Sequence, residues 1–272
     1  MINIAKILND KYYTSPDLAE YCVKKIEEII GEENITEYIE PSAGSGVFLD
    51  FLDKPYLAYD IEPEDDKDRI IKADYLSLDL EYKKGRCVIG NPPFGDRNND
   101  LIKKFYNKSV MIGDYICFIL PISQYKNDVN LFEFDLIYSE NLGIKLYSNV
   151  GILCCFNIYK IPYNNILNKK PNYKLKDVEI KRHTRNSNEI YNENFKNDIR
   201  ICCFGSIGEV CTHENQYAKE YCIKINNEKY KDKIINIIKT TNWNKLYPSV
   251  STPFLSQWQI YKYIKEQIPE IQ

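Results

Sequence analysis

Short apolar runs alternate with amphipathic stretches along the first 160 residues of the chain. Residues 16–30 place apolar side chains on one helical face, with Ser15 as the predicted N-cap and Gly31 at the end. Strands are predicted at 36–40, 56–60, 69–73, 86–90, 115–120, 143–147 and 152–159, and further helices at 46–52, 100–111 and 129–138. This alternation predicts an α/β fold with a doubly wound, mostly parallel sheet, whose ligands bind at the carboxyl ends of the strands.

The pattern changes after residue 160, where a polar and basic stretch begins. The predicted elements there are two strands and then two helices, at 199–204, 221–225, 227–240 and 253–266. Trp243, Phe254 and Trp258 are predicted to pack in the core of these last helices. We therefore predict two domains, residues 1–160 and a small C-terminal α+β region of residues 161–272.

The net charge of −3 conceals an asymmetry between the two predicted domains. Residues 1–160 carry 18 basic and 27 acidic residues, a net of −9, whereas residues 161–272 carry 18 basic and 12 acidic residues, a net of +6. The segment from Lys169 to Arg185 contains seven basic residues and two acidic ones. Such a run is often only a solvated face, but a polyanion would favour this half. The asymmetry indicates a small-molecule domain followed by a nucleic-acid-binding region.

Cysteine usage and hydropathy narrow the class of protein. Nine cysteines, an odd number, lie mostly in apolar stretches, as reduced and buried cysteines do. No apolar run reaches the length of a membrane span, and the start of the chain lacks a signal-peptide pattern. We expect a cytoplasmic protein that does not enter a membrane. No bound metal is expected, because no common zinc spacing fits the one set of suitable residues, Cys202, Cys211, His213 and Cys222.

A turn rich in small residues follows the first predicted strand and leads into a helix. Small residues let the backbone approach a ligand closely, and an acidic residue ahead of the turn suits a cationic group such as an amino group. The turn lacks the Lys-Ser/Thr of a phosphate-binding loop, so it predicts either another nucleotide site or a plain tight turn. Its sequence is Glu40-Pro41-Ser42-Ala43-Gly44-Ser45-Gly46.

Carboxylates also lie at the ends of the next two predicted strands: Asp60 is the last residue of one, and Asp74 directly follows the other. Asp60 is positioned to accept hydrogen bonds from both hydroxyls of a ribose, and Ile61 could cover one face of an adenine ring. Asp74, with Tyr75 beside it, could accept a hydrogen bond from an adenine amino group. A single aspartate of this kind is more often a turn residue or a cap. Their shared position at strand ends favours a ligand site.

Asn91-Pro92-Pro93-Phe94 directly follows the buried strand predicted at 86–90. The prolines fix a rigid backbone that directs the Asn91 side-chain oxygen and the Pro92 carbonyl oxygen to one spot. The exocyclic amino group of adenine is a poor nucleophile, because its lone pair is delocalised into the ring. Two acceptors that hold its hydrogens would free the lone pair to attack a methyl donor, and Phe94 would stack on an extruded base. The simpler alternative is a turn that ends the strand.

Together these motifs resemble the S-adenosylmethionine-dependent amino-methyltransferases that form N6-methyladenine in DNA and carry an Asn-Pro-Pro-Phe/Tyr motif. The resemblance covers about residues 10–160 and includes Tyr13-Thr14-Ser15-Pro16, which is similar to the family's extra cofactor motif. The order of cofactor motif, catalytic motif and target-recognition region is that of the family's gamma type. The resemblance implies a Rossmann-like methyltransferase that binds S-adenosylmethionine and flips its target base out of DNA.

The resemblance also implies a role for each motif. Thr14 would contact the methionine carboxylate of the cofactor, Asp60 the ribose, and Asp74 with Tyr75 the adenine. The remaining cofactor contacts would come from Tyr13, Glu40, Pro41, Ser42, Ala43, Gly44 and Gly46, and the catalytic residues would be Asn91, Pro92, Pro93 and Phe94.

Contacts to the target would come from later in the chain. Phe156 is similar to an aromatic residue of the family that helps to hold the flipped base, and a buried core strand explains it about as well. Lys181, Arg182 and Arg185 are predicted to hold the DNA backbone without reading bases. About 110 residues is short for a region that reads DNA sequence unaided. This length leaves a short target, a partner subunit or weak specificity as alternatives.

Two rival functions fit the same residues. Asn-Pro-Pro-Phe also serves enzymes that methylate amino groups of adenine or guanine in RNA, although the element at 13–16 and the basic region favour DNA. A non-catalytic nucleic-acid-binding subunit of a methyltransferase complex would have no need of Asn91, Pro92 and the glycine turn. We therefore favour N6-adenine methylation of double-stranded DNA.

Overall fold

A computed structural model of the protein describes residues 14–64, 68–94, 100–147, 150–184, 196–212, 217–249 and 252–272. The chain divides into two units, Met1–Pro171 and Asn172–Gln272. The first unit holds the alternating α/β elements, and the second holds the small C-terminal elements.

The described part of the first unit contains a seven-stranded sheet and two α-helices. The helices are α1 (Pro16–Ile30) and α2 (Asp100–Val110). The strands are β1 (Glu37–Glu40), β2 (Tyr56–Asp60), β3 (Ile71–Lys72), β4 (Arg86–Gly90), β5 (Tyr115–Pro121), β6 (Asp135–Tyr147) and β7 (Val150–Lys160).

The strand order is β3-β2-β1-β4-β5-β7-β6. Strands β1 to β5 are parallel to one another along this order. Strand β7 is antiparallel to both β5 and β6. The predicted doubly wound, mostly parallel α/β sheet is confirmed.

The strand order reverses at β1, and this reversal determines where ligands can bind. The chain runs outward from β1 through β2 and β3, and then returns to β4 on the other side of β1. The carboxyl ends of β1 and β4 therefore border the crevice in which sheets of this kind bind ligands. Both strands are buried along their whole length, as central strands of such a sheet are.

Helix α1 packs an apolar stripe against the core of the first unit. Ser15 occupies the predicted N-cap position but makes no capping bond with its side chain. Its carbonyl oxygen instead accepts a hydrogen bond from the Ala19 N–H at 3.0 Å. Gly31 ends the helix with φ of 86°, a conformation that glycine adopts without strain. The buried residues of the stripe are Leu18, Ala19, Cys22, Val23, Ile26 and Ile30.

The prediction of a helix at 129–138 is wrong, because β6 already begins at Asp135. Leu131, Phe134 and Tyr138 follow one another at helical spacing and contribute to the core, but from turns and from a strand. Pairing with β7 along the length of β6 satisfies the backbone instead. Strand β5 pairs with β7 only as far as Pro121 and Cys154, so the β6–β7 hairpin extends beyond the carboxyl end of β5.

The second unit contains a three-stranded antiparallel sheet in the order β8-β10-β9, as the predicted α+β region requires. Its helices pack on a separate hydrophobic core that includes Trp243. No helix within the described ranges is both long and apolar enough to cross a membrane. The elements are β8 (Val178–Thr184), β9 (Ile199–Cys202), β10 (Lys219–Ile225), α3 (Lys231–Thr240), α4 (Trp243–Leu246) and α5 (Gln257–Gln267).

Two features of the second unit differ from the sequence-based expectation. Strand β8 lies inside the basic run, where charged residues alternate with the buried Val178 and Ile180. Phe254 is 43% exposed and does not belong to the core, whereas Trp243 is buried as predicted. The backbone of Phe254 forms a bridge with Phe204, whose side chain is also exposed.

Candidate active site

The turn after β1 is held against β2 by backbone hydrogen bonds. The Ala43 N–H donates to the Tyr59 carbonyl at 2.9 Å, and the Gly46 N–H donates to the Ala43 carbonyl at 2.7 Å. Gly44 and Gly46 have φ of 55° and 74°, in the left-handed region that favours glycine. The sequence therefore specifies a tight turn at this edge.

Asp60 at the end of β2 is oriented by two backbone donors. The Gly44 N–H donates to Asp60 Oδ2 and the Glu62 N–H donates to Oδ1, each at 2.8 Å. Each carboxylate oxygen can accept a further hydrogen bond. Ile61 beside it is 51% exposed. An oriented acceptor and an exposed apolar surface thus adjoin the glycine turn.

Glu40 at the end of β1 is 2% exposed, and its Oε2 has no hydrogen-bond partner in the part of the chain that the structure describes. Burial raises the pKa of Glu40 well above its usual range; the charge of Asp60 adds to this rise, and Arg69 opposes it. The Oγ atom of Ser42 is likewise buried and without a partner among these residues. Such groups are costly to bury. A cationic ligand at this edge would offset the cost.

The Asn91-Pro92-Pro93-Phe94 segment follows β4 beside this turn. A Cβ atom built on Gly90 would lie 3.5 Å from Pro41 Cδ, so the ends of β4 and β1 are in close contact. Asn91 Nδ2 donates to Thr14 Oγ1 at 3.3 Å, which links the segment before α1 to the end of β4. The fold therefore brings three separate predicted motifs to one edge of the sheet.

The third predicted carboxylate has different surroundings. Asp74 is exposed and caps a short 3-10 helix by accepting from the Leu76 N–H at 3.0 Å. The side chain of Tyr75 is 1% exposed, stacks on Phe105 and shares a hydrogen bond of 3.0 Å with Ser109. The Tyr75 ring is thus a core group, and any contact of this residue with a cofactor would fall to its backbone.

Phe156 is fully buried in β7, where its neighbours across the strands are Ile119 and Glu140. This position favours the alternative interpretation, a core strand, over a contact with a flipped base. Lys181 and Arg182 are adjacent in β8 and point to opposite faces of the sheet. They cannot contact one stretch of DNA backbone from the same face. Two residues with predicted roles, Tyr13 and Arg185, lie outside the described residues, as does His213, for which no metal was expected.

Gln124 is a polar residue at this edge that the sequence analysis missed. It follows β5, is 1% exposed, and its Oε1 has no hydrogen-bond partner among the described residues. Its signal in the sequence is a polar side chain shortly after the continuous apolar run that was predicted as a strand at 115–120. Within the described ranges, no group of His, Cys, Asp and Glu side chains is suited to hold a metal ion.

Neither a protein-family model nor a curated protein matches the sequence. Several solved structures are similar in fold. A Pyrococcus horikoshii protein provisionally described as an RNA methyltransferase matches at 15% identity over 56% of this chain and 86% of its own, with a TM-score of 0.44. The 23S rRNA methyltransferase ErmE matches at 10% identity over 55% of this chain and 69% of its own, with a TM-score of 0.41.

A tRNA methyltransferase of M. jannaschii matches at 17% identity over 59% of this chain and 52% of its own, with a TM-score of 0.39. This chain thus spans about half the length of that protein. Identities and structural scores of this size indicate neither a substrate nor a reaction for this chain.

Proposed function

We propose that the protein transfers a methyl group from S-adenosylmethionine to the N6 amino group of adenine in double-stranded DNA. The observation that carries the proposal is the position of Asn91-Pro92-Pro93-Phe94 directly after β4, at the point where the strand order reverses. A ligand-binding crevice is expected there, and the glycine turn after β1 borders it.

The residues at this edge fit the cofactor. The buried acceptor of Glu40 suits the cationic amino group of its methionine part, and the glycine turn gives the backbone close access. Asp60 is oriented to accept from the ribose hydroxyls, and the exposed Ile61 can cover the adenine ring. S-adenosylmethionine would supply a methyl group made electrophilic by a positively charged sulfur.

Asn91 and Pro92 would act on the target base. The Asn91 side-chain oxygen and the Pro92 carbonyl accept the two hydrogens of the adenine amino group, which frees the nitrogen lone pair for attack. The hydrogen bond from Asn91 to Thr14 holds the amide in a fixed orientation. The nitrogen loses one proton to solvent after it gains the methyl group. Phe94 is 8% exposed, so stacking on an extruded base requires its ring to turn outward.

The C-terminal unit, together with the basic residues that directly precede it, would bind the nucleic acid. Residues 161–272 carry a net charge of +6, opposite in sign to the first 160 residues, and phosphates attract such a region. The small size of this unit is compatible with a short target or with a partner subunit that contributes to recognition. We expect the reaction to take place in the cytoplasm.

The test is nucleoside mass spectrometry after incubation of the protein with labelled S-adenosylmethionine and duplex DNA, or with RNA of the same sequence. The expected product is labelled N6-methyldeoxyadenosine from DNA. Label only in RNA would transfer the proposal to the RNA rival. Cofactor or nucleic-acid binding without label in either polymer would indicate the non-catalytic subunit.

A further inference from the structure

Two exposed phenylalanines stand side by side at the margin of the second unit. Phe204 and Phe254 form an antiparallel backbone bridge and are 41% and 43% exposed. The Leu255 N–H donates to the Cys203 carbonyl at 3.0 Å, and the Gly205 N–H donates to the Pro253 carbonyl at 2.9 Å. Directly opposed residues of such a bridge carry their side chains on the same face. The two rings therefore form one exposed aromatic surface on a backbone fixed from both sides.

A cation accompanies each ring. Lys219 Nζ lies 3.9 Å from the centre of the Phe204 ring, and the Arg182 guanidinium lies 5.4 Å from the centre of the Phe254 ring. Arg182 pairs across β8 and β10 with Tyr221, and Lys219 pairs with Thr184, so both cations point to the same face of the sheet. We call Arg182, Phe204, Lys219 and Phe254 the aromatic–cation surface.

The chemistry of this surface identifies the partner. Phenylalanine offers no group that could hydrogen-bond to the edges of bases, but its ring can stack on the face of any base. Base faces are accessible in an unpaired strand and covered in a duplex. Arginine and lysine beside the rings would bind the phosphates that accompany the bases. Proteins that bind single strands combine aromatic rings with positive charge in this way.

We propose that the aromatic–cation surface binds an unpaired strand of DNA, such as the strand opened around an extruded base. This inference rests on the proposed function for its choice of DNA, but it assigns the second unit a site of its own. Binding at this site needs neither the cofactor nor methyl transfer.

Fluorescence anisotropy of the full-length chain tests the proposal without S-adenosylmethionine. The probes are a labelled single-stranded DNA oligonucleotide, the duplex of the same sequence, and the matching RNA strand. The variants Phe204→Ala and Phe254→Ala should each weaken binding of single-stranded DNA about fivefold or more, as loss of one stacking partner does. Binding of the duplex should change little. The matched control is Tyr163→Ala, which removes a fully exposed ring from the first unit.

Leucine variants show whether a loss of affinity comes from lost stacking. The alternatives are the loss of a general apolar contact and the loss of the fold. Phe204→Leu and Phe254→Leu keep apolar volume, so thermal unfolding should match wild type while single-strand affinity still falls. Arg182→Gln and Lys219→Gln should each flatten the plot of log affinity against log salt by about 0.7 units, the value for one phosphate contact on a single strand. Lys224→Gln, on the opposite face of β10 where it pairs with Glu179, should leave that slope unchanged.

Three results would overturn the proposal. Leucine variants that bind single-stranded DNA like wild type would exclude stacking. Equal losses for duplex and single strand would indicate a groove contact, such as one against thymine methyl groups. Tighter binding of RNA with the same dependence on Phe204 and Phe254 would exclude DNA as the partner. Methyl transfer tests the proposed function, and binding of single-stranded DNA tests the role of the aromatic–cation surface. If the alanine variants still transfer the methyl group, the proposed function stands whatever the binding result is.

Discussion

At the edge of the seven-stranded sheet where β1 and β4 begin, the chain supplies partners for its own buried charges. Glu37 and Arg86 form an ion pair of 2.6 Å with both side chains about one-tenth exposed. Lys83 also donates to Glu37, and Arg86 donates to the Ile112 carbonyl at 3.0 Å. Three residues further along β1, at the carboxyl edge, Glu40 is more deeply buried and keeps an oxygen without a partner among the described residues.

The pKa values of these two glutamates move in opposite directions. Burial acts to raise the pKa of Glu37, but hydrogen bonds from Lys83 and Arg86 bring it below its usual range. Burial raises the pKa of Glu40, and the nearby charge of Asp60 raises it further. At the amino edge the buried charges are thus paired within the protein itself. The carboxyl edge has buried polar groups that a ligand can satisfy. Substitutions at the amino edge should therefore lower stability, and substitutions at the carboxyl edge should lower ligand binding or turnover.

The largest expected effect is on stability, from Glu37→Ala at the amino edge. The substitution leaves Arg86 buried without its counter-charge, which should lower the free energy of unfolding by about 3–5 kcal/mol. The measurement is urea unfolding of the purified chain. Replacing both partners, as in Glu37→Leu with Arg86→Met, should cost much less, because no uncompensated charge remains. If Glu37→Ala lowers the free energy of unfolding by less than about 1 kcal/mol, the pair stabilises the fold no more than a surface salt bridge does.

At the carboxyl edge the largest expected effect is on turnover, from Asn91→Ala. The variant should bind S-adenosylmethionine almost as wild type does and turn over at least about a hundredfold more slowly, the loss typical of one positioned hydrogen-bonding group. Asn34→Ala provides the same substitution at the amino edge, where the side chain bonds to the Ile30 carbonyl, and should keep normal turnover. Normal turnover of Asn91→Ala on DNA would remove this residue from the catalytic assignment.

This contrast also marks what the sequence could predict about the fold. The apolar run predicted as a strand at 115–120 became β5, because a strand buried on both faces needs a continuous apolar sequence. The helix predicted at 129–138 failed, because spacing along the chain cannot reveal pairing with β7, which is distant in sequence. Strand β8 was missed, because its alternating Val178 and Ile180 lie within a charge run.

The site shows the same division between local and tertiary information. The positions of Glu40, Asp60 and Asn91 were predictable, because Glu40 and Asp60 end strands, Asn91 directly follows one, and strand ends are visible in sequence. Burial of the Tyr75 ring depends on its packing against Phe105 in α2, which no local pattern encodes. The exposure of the Phe254 ring likewise depends on tertiary structure, which no local pattern encodes.

A smaller effect, on cofactor affinity, is expected from Asp60→Ala. The proposed partners of this carboxylate are ribose hydroxyls, and loss of hydrogen bonds to a charged acceptor should weaken S-adenosylmethionine binding about tenfold or more. Isothermal titration calorimetry measures the change, and Asp79→Ala, at an exposed aspartate with no assigned role, is the control. An unchanged dissociation constant would show that Asp60 serves only to hold the backbone of Gly44 and Glu62.

Glu40→Gln is expected to have the smallest effect at any one pH and a distinctive effect across pH. The pKa of Glu40 is raised, so the folded chain holds this proton at pH values at which an unfolded glutamate, with a pKa of about 4.3, has lost it. Stability from this group is full below that value and falls as the pH rises through the folded pKa. Thermal unfolding should therefore shift in favour of the variant as the pH rises. Glu37, whose pKa is lowered, loses its contribution as the pH falls.

The pH dependence of cofactor affinity tests the protonation of Glu40 independently of stability. If Glu40 binds the amino cation of S-adenosylmethionine, it is ionised in the complex, so binding releases the proton that the free protein holds. Wild-type affinity should then rise with pH by up to about tenfold per unit. Titrations should stay below about pH 7.5, because an α-amino group loses its own charge near pH 7.7–8.0. The variant Glu40→Gln has no such proton, and its affinity should be lower and nearly independent of pH. An equally steep rise in both proteins would assign the proton to another group and leave the unpartnered oxygen of Glu40 without a role in cofactor binding.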